Sequence, residues 1–138
     1  MKHLLLLAFL LPFPLFRSSG ERTNQAAWEQ LLAEFNLRGV AVISHHPRCQ
    51  EPNLYGLYVR GSTTVVVCNR GDRSSTLRHE GWHLVQSLCL EGRAWLQTEA
   101  IERGLSGIDR AELQALVQPE RWQHEAEARV MAKRSVND

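Results

Sequence analysis

The sequence predicts one small α+β domain, because helical and β-type patterns occupy separate parts of the chain. Its 138 residues are 43% hydrophobic and 22% charged, a composition typical of a single globular unit. β-Branched residues concentrate between residues 40 and 68, and apolar residues at helical spacing precede and follow that region. The formal net charge of +1 indicates no electrostatic preference for nucleic acid or anionic membranes.

A signal peptide is predicted at residues 1–20. The basic Lys2 precedes an almost wholly apolar run from Leu4 to Phe16. This run is too short to span a bilayer and is typical of a cleavable export signal. We expect cleavage before Glu21 and an exported mature domain over residues 21–138, periplasmic or secreted. An uncleaved anchor is the alternative.

One helix and a short sheet are expected in the first half of the mature chain. Residues 24–37 have apolar side chains at helical spacing, and residues 40–44 form a short β-branched run. Two further β-rich runs, at residues 55–59 and 63–68, are separated by Arg60-Gly61-Ser62, which predicts a hairpin. We therefore expect a short antiparallel sheet that contains this hairpin.

The chain has three cysteines, and the predicted compartment determines whether they form disulfides. Cys49 and Cys68 flank the hairpin, and a bridge between them would stabilise the fold by about 3 kcal/mol in the chain-entropy model. Disulfides persist in oxidising compartments, so we expect this bond in an exported protein. Cys89 is then left over, either free or paired between chains. Three reduced thiols are the alternative.

The segment His79-Glu80-Gly81-Trp82-His83 carries the chemistry that the sequence indicates. Histidines four residues apart lie on one face of a helix and can aim two imidazole nitrogens at one zinc ion. Glu80 projects beside the metal, where it could take a proton from a zinc-bound water. An ordinary buried helix with two histidines by chance is the alternative.

This helix is also predicted to be amphipathic. Ser74 or Ser75 would provide its N-cap oxygen. The core-facing stripe comprises Leu77, Gly81, Leu84, Val85 and Leu88. Because glycine disfavours a helix, its place in this stripe suggests that another element packs closely against it.

Three helices are predicted after this motif, over residues 95–103, 110–117 and 120–134. Asp109 with Glu112 resembles a capping box that would open the second of them.

A catalytic zinc usually takes three protein ligands and leaves one position for water. A third histidine at the spacing His-Glu-x-x-His-x-x-Gly-x-x-His is excluded, because Gln86 and Cys89 occupy the glycine and histidine positions. We therefore expect a carboxylate on a later helix. The candidates are Glu99, Glu102, Glu125 and Glu127.

Local charge separates these candidates. Glu102 has the spacing found in some large aminopeptidases, but the sequence that surrounds the ligand in those enzymes is missing. Glu125 has Arg121 and Arg129 at i−4 and i+4, which indicates a solvated, ion-paired face. Glu127 has no cation one turn away, so on burial it needs another partner, such as a metal. We therefore predict Glu127 as the third ligand.

The chain resembles the gluzincin metallopeptidases in His79 to His83 followed by Glu125-Ala126-Glu127-Ala128-Arg129-Val130-Met131-Ala132. It is most similar to small bacterial members with a signal peptide, a Cys-flanked hairpin and a late Glu-x-Glu-Ala helix. The resemblance implies a zincin-like α+β fold with a sheet edge beside the active helix. It also implies that the third ligand is Glu127. A recognisable residue for transition-state stabilisation is missing.

The expected activity is therefore zinc-dependent hydrolysis of a peptide or protein substrate. Zinc would be held by His79, His83 and Glu127, with Glu80 as the base that later protonates the leaving amine. His124 would support a ligand or stabilise the oxyanion, or it is an ordinary surface histidine.

A substrate peptide could add alongside the strand at residues 63–68, if that strand is an exposed edge. Two other functions fit the same sequence. One is a secreted binding protein with a zinc-stabilised but catalytically idle site, and the other is a metal-free disulfide domain.

Overall fold

The computed structural model describes residues 19–134, so the predicted signal peptide falls almost wholly outside the described range. Within that range the chain forms five α-helices and one three-stranded sheet, which confirms the α+β class. In chain order the elements are α1 (Ser19–Leu37), β1 (Ala41–Ile43), β2 (Gly56–Val59), β3 (Thr64–Val67), α2 (Arg73–Leu88), α3 (Thr98–Gly104), α4 (Gly107–Leu116) and α5 (Trp122–Lys133). No described helix has both the length and the apolar character needed to cross a membrane.

The sheet has the strand order β1-β3-β2. β2 and β3 form the predicted hairpin, with Tyr58 opposite Val65. β1 runs parallel to β3, with Val42 opposite Val65, so the sheet is mixed and the expectation of an antiparallel sheet is wrong. The reason is that β2 occupies one side of β3, and the long connection after β1 brings the chain back so that β1 pairs with the other side in the parallel sense.

The predicted disulfide between Cys49 and Cys68 is confirmed, with Cα atoms 5.5 Å apart. Cys49 lies in a short 3-10 helix, Pro47–Gln50, and Cys68 follows β3 directly. The Arg70 guanidinium also donates to the carbonyls of Cys49, Glu51 and Pro52. The irregular segment before β2 is therefore tied to the sheet both covalently and by hydrogen bonds. Cys89 is a free, exposed thiol.

Helix α2 begins at a different residue from the one predicted. The side chain of Asp72 accepts a hydrogen bond from the Ser75 backbone N–H at 3.0 Å, so Asp72 is the N-cap instead of Ser74 or Ser75. Asp and Ser are both good N-caps, and the choice depends on where the preceding turn directs the chain.

The apolar stripe of α2 faces the sheet and α1. Leu77 and Leu84 belong to a core cluster with Trp28, Val65 and Val67. The last two residues of the predicted stripe do not belong to the core. Val85 is only partly buried and Leu88 is 47% exposed, whereas Gln86 is buried.

Gly81 lies where α1 packs closely against α2, as its place in the stripe predicts. A Cβ atom at this position would lie 2.5 Å from Cε1 and Cζ of Phe35. The missing side chain therefore allows the Phe35 ring to lie directly against the α2 backbone.

A second apolar cluster joins the last three helices. It comprises Ile101, Leu105, Leu113, Ala126 and Val130. Helix α4 is opened by a capping box of Ser106 and Asp109, one turn earlier than the predicted Asp109–Glu112 pair. Asp109 also binds Arg129 and Lys133 of α5, which fixes α5 against α4.

Gly81→Ala should destabilise the protein by about 1–3 kcal/mol, because the Phe35 ring must leave the position that an alanine Cβ would occupy. Alanine's higher helix propensity, about 1 kcal/mol, offsets this only in part. Denaturant unfolding measures the change. Gly107→Ala is the matched control, since a Cβ there meets nothing within 4 Å. Equal or greater stability of Gly81→Ala would contradict the close contact.

The stability provided by Asp109 should depend on pH. Burial disfavours its charged form, but hydrogen bonds from Lys133 and Ser106 outweigh this effect and hold the Asp109 pKa well below its usual range. Its contribution is therefore complete above the unfolded pKa of about 3.9 and is lost as the pH falls below that value. Asp109→Asn should cost about 1–3 kcal/mol at pH 7.

Unfolding of wild type and Asp109→Asn at pH 7 and pH 3 tests this dependence. The difference between them should shrink at pH 3. Glu112→Gln is the control, because Glu112 binds the same Arg129 from a half-exposed position and should contribute about 0.5 kcal/mol or less. A pH-independent difference for Asp109→Asn would refute the assignment.

Candidate metal centre

Helix α2 brings the two predicted histidines together. The Nε2 atoms of His79 and His83 are 3.2 Å apart, and the rings meet edge to face with centroids 4.8 Å apart. Both side chains are largely buried. The i, i+4 spacing therefore brings the two imidazole nitrogens together, as predicted from the sequence.

Glu125 of α5 provides the third donor. Its Oε2 atom lies 3.5 Å from His79 Nε2 and 3.3 Å from His83 Nε2. In a tetrahedral zinc site with bonds of about 2.0–2.1 Å, neighbouring ligand atoms are about 3.3–3.4 Å apart. The three atoms therefore have the spacing of one tetrahedral face, and this group could hold a metal ion.

Glu127 lies elsewhere, so its predicted place beside the histidines is wrong. Its carboxylate is fully buried between α2, α5 and the segment before α3. Oε1 accepts hydrogen bonds from Trp82 Nε1 at 2.8 Å and Gln86 Nε2 at 2.9 Å. Oε2 accepts from the backbone N–H groups of Trp95 and Leu96, both at 2.7 Å. Neutral donors satisfy this carboxylate without a metal.

The arginines beside Glu125 do not make it a solvated ion pair. Arg121 contacts only Oε1, at 3.0 Å, and leaves Oε2 directed at the histidines. Arg129 binds Asp109 and Glu112 instead. The Glu125 side chain is only 18% exposed. Arg121 therefore orients the carboxylate that could bind a metal.

Glu125 and His83 shift each other's protonation. Burial disfavours the charged form of Glu125, but hydrogen bonds and charge interactions with both histidines outweigh it and hold the Glu125 pKa well below its usual range. Burial likewise opposes charge on His83, but Glu125 outweighs it and raises the His83 pKa. Glu125 is thus a carboxylate at neutral pH, the form that binds metals.

Glu80 lies at the same centre but points toward the sheet. Its Oε2 accepts a hydrogen bond from the Tyr58 backbone N–H of β2 at 3.0 Å. Burial raises the Glu80 pKa, while the nearby histidines partly oppose this shift. Gly56 allows this approach, because a Cβ there would lie 2.6 Å from Thr76 and 3.2 Å from the Glu80 Cγ.

A cleft of about 820 Å³ contains the centre. It is lined by His79, His83, Glu80 and Glu125 on one side and by residues 56–58 of β2 on another. β2 is an edge strand, whereas β3 is paired on both sides. The expectation that a peptide could add alongside residues 63–68 is therefore wrong, and the available edge beside the centre is β2.

The other predicted residues divide between the cleft and the rest of the surface. His124 lines the cleft, and its backbone carbonyl accepts from Gln86 Nε2 at 3.1 Å. Glu102 pairs with Arg110 instead of joining the centre. Glu99 is exposed on α3.

Sequence reasoning missed the contributions of Gln86, Gly56 and Arg121. Their contacts join distant segments or depend on side-chain direction, so spacing alone does not reveal them. For these three residues, the only signal of close approach in the sequence is that Gly56 lies inside the β-rich run at residues 55–59.

Comparison with protein families, curated proteins and solved structures finds no match to this chain.

Glu125→Gln should weaken zinc binding by more than about 100-fold, since residues that only support a ligand typically contribute 10–100-fold. Glu120→Gln is the matched control, because Glu120 lines the same cleft away from the three donor atoms. Competition titration with a zinc-binding dye measures both affinities. Unchanged zinc affinity in Glu125→Gln would refute the geometric assignment.

Proposed function

We propose that this protein is an exported, zinc-dependent metallopeptidase of the gluzincin type, with His79, His83 and Glu125 as ligands. One observation carries the proposal: the three donor atoms and a fourth side chain, the Glu80 carboxylate, share one cleft with the outer edge of β2. Metal ligands, a proton carrier and a peptide-binding edge are thus available in one place.

The donor set favours zinc. Two imidazole nitrogens and one carboxylate oxygen are the ligands of many catalytic zinc sites, and three protein ligands leave a position for water. A bound zinc ion would polarise the scissile carbonyl and lower the pKa of its water to about 7.

Glu80 is the general base in this proposal. It takes the proton of the attacking water and gives it to the leaving amine. Burial raises its pKa above the usual value, which favours uptake of a proton. The Tyr58 N–H holds the carboxylate in place.

The edge of β2 would bind an extended peptide. Backbone groups of an antiparallel strand alternate between its partner and the free side. The Tyr58 N–H points away from β3 and is already bound to Glu80. By this alternation the Tyr58 carbonyl and the backbone groups of Gly56 also face the outer side. A substrate chain that pairs with these groups by β-augmentation would pass the metal ligands.

The zincin-like fold and export are part of the same proposal. A sheet edge beside the helix with both histidines is the arrangement that the gluzincin resemblance implies. The Cys49–Cys68 disulfide is consistent with an oxidising compartment.

Glu80→Gln should lower hydrolysis of an unfolded protein substrate by about 10²–10⁴-fold, the usual contribution of a general base. Zinc content, measured by elemental analysis, should stay at wild-type level because Glu80 is not among the three donors. A chelator should abolish the wild-type activity.

Zinc-loaded wild-type protein that hydrolyses nothing would contradict the peptidase proposal and favour a zinc-stabilised binding protein. Hydrolysis that survives Glu80→Gln or the chelator would indicate a contaminating enzyme or a different base.

A further inference from the structure

Gln86 connects the buried Glu127 carboxylate to a metal-facing histidine. Its side chain is 1% exposed and lies between α2 and α5. On one side it contacts Glu127 and the His124 carbonyl, and on the other it contacts His83 Nδ1 at 2.8 Å.

The orientation of the Gln86 amide follows from its partners. The terminal atom on the α5 side lies 2.9 Å from Glu127 Oε1 and 3.1 Å from the His124 carbonyl oxygen. A carboxylate that already receives three N–H donors and a carbonyl oxygen can only accept here, so this atom must be the NH₂ group. The Gln86 Oε1 atom therefore faces His83.

This orientation determines which nitrogen of His83 carries a proton. Because Oε1 only accepts, His83 Nδ1 must donate to it. In the neutral imidazole the other nitrogen, Nε2, then has a free lone pair. Nε2 is the atom that lies in the donor triangle with His79 and Glu125.

We propose that Glu127 is a positioning residue for the metal centre, acting through Gln86 to hold His83 in its metal-binding tautomer. The inference rests on the proposed metal site and not on the peptidase activity. Glu127 thus orients the ligand His83 from the protein interior, although it lies only two residues from the ligand Glu125 in sequence.

Glu127→Gln would weaken this chain of hydrogen bonds. The two 2.7 Å bonds from the Trp95 and Leu96 N–H groups favour the new carbonyl oxygen on that side. The new NH₂ group would then face the Gln86 NH₂ and the Trp82 Nε1–H, which both lose their acceptor. Of the two groups that hold the Gln86 NH₂ toward α5, only the His124 carbonyl would remain. The Gln86 Oε1 atom would therefore be held less firmly toward His83 Nδ1, and the tautomer protonated on Nε2 would become more populated.

The test uses the full mature chain and two measurements. Nitrogen-15 NMR of the metal-free protein, at a pH where His83 is neutral, reports which ring nitrogen of His83 carries the proton. We expect a protonated Nδ1 in wild type and a larger fraction of the tautomer protonated on Nε2 in Glu127→Gln. Competition titration should show zinc affinity about 10–100-fold lower in Glu127→Gln and in Gln86→Met. Glu102→Gln is the matched control, because Glu102 is paired with Arg110 on the surface.

The Nδ1 measurement distinguishes positioning from a purely structural role. A residue that only stabilises the fold would leave the His83 tautomer unchanged in a folded variant.

Three outcomes would overturn the inference: a folded Glu127→Gln or Gln86→Met with wild-type zinc affinity, an unprotonated Nδ1 in wild type, or a His83 tautomer that a folded Glu127→Gln leaves unchanged. If Glu127→Gln does not fold, Gln86→Met decides the question. Failure of wild type to bind zinc would instead refute the proposed function, and the Nδ1 measurement would still test the hydrogen-bond chain.

Discussion

The packing of α5 against α2 buries a carboxylate, Glu127, that no cation compensates within the described residues. Such a group is tolerated only if donors surround it, and here four N–H groups from α2 and the segment before α3 do so. Ala126 and Ala128 flank it and are fully buried, and Ala126 packs in the cluster that joins the last three helices. The register of α5 follows from this one satisfied charge.

The same register places Glu125 at the histidines. Residues two apart on a helix point in widely different directions, so when Glu127 faces its donors Glu125 faces the cleft. Arg121 then restrains Glu125 from the solvent side, and Gln86 restrains His83 from the interior. The donor triangle is therefore fixed by groups that do not belong to it.

The local spacing of residues in the sequence was sufficient to predict part of the architecture and part of the site. The pairing of His79 with His83 depends only on helix geometry, and the hairpin and its disulfide depend on short-range patterns. The choice between Glu125 and Glu127 depends on partners more than 25 residues away in sequence, such as the backbone of Trp95. An arginine one turn away cannot reveal that it binds only one oxygen of a carboxylate. For the same reason, the sequence did not show that β1 pairs in parallel and leaves β2 as the free edge.

The close contacts at Gly81 and Gly56 have a consequence for the choice of ion. They hold α2 against Phe35 on one side and against β2 on the other, so the helix has little room to shift. Three donor atoms that lie 3.2–3.5 Å apart suit ions that form short bonds to their ligands and prefer tetrahedral coordination. Calcium, which needs six to eight oxygen ligands at about 2.3–2.6 Å, would find too few donors and too small a spacing. Copper(II) binds nitrogen donors more strongly than zinc but prefers a tetragonal arrangement. If the proposed site binds a metal, these two contacts would resist any movement of the helix that carries both histidine donors.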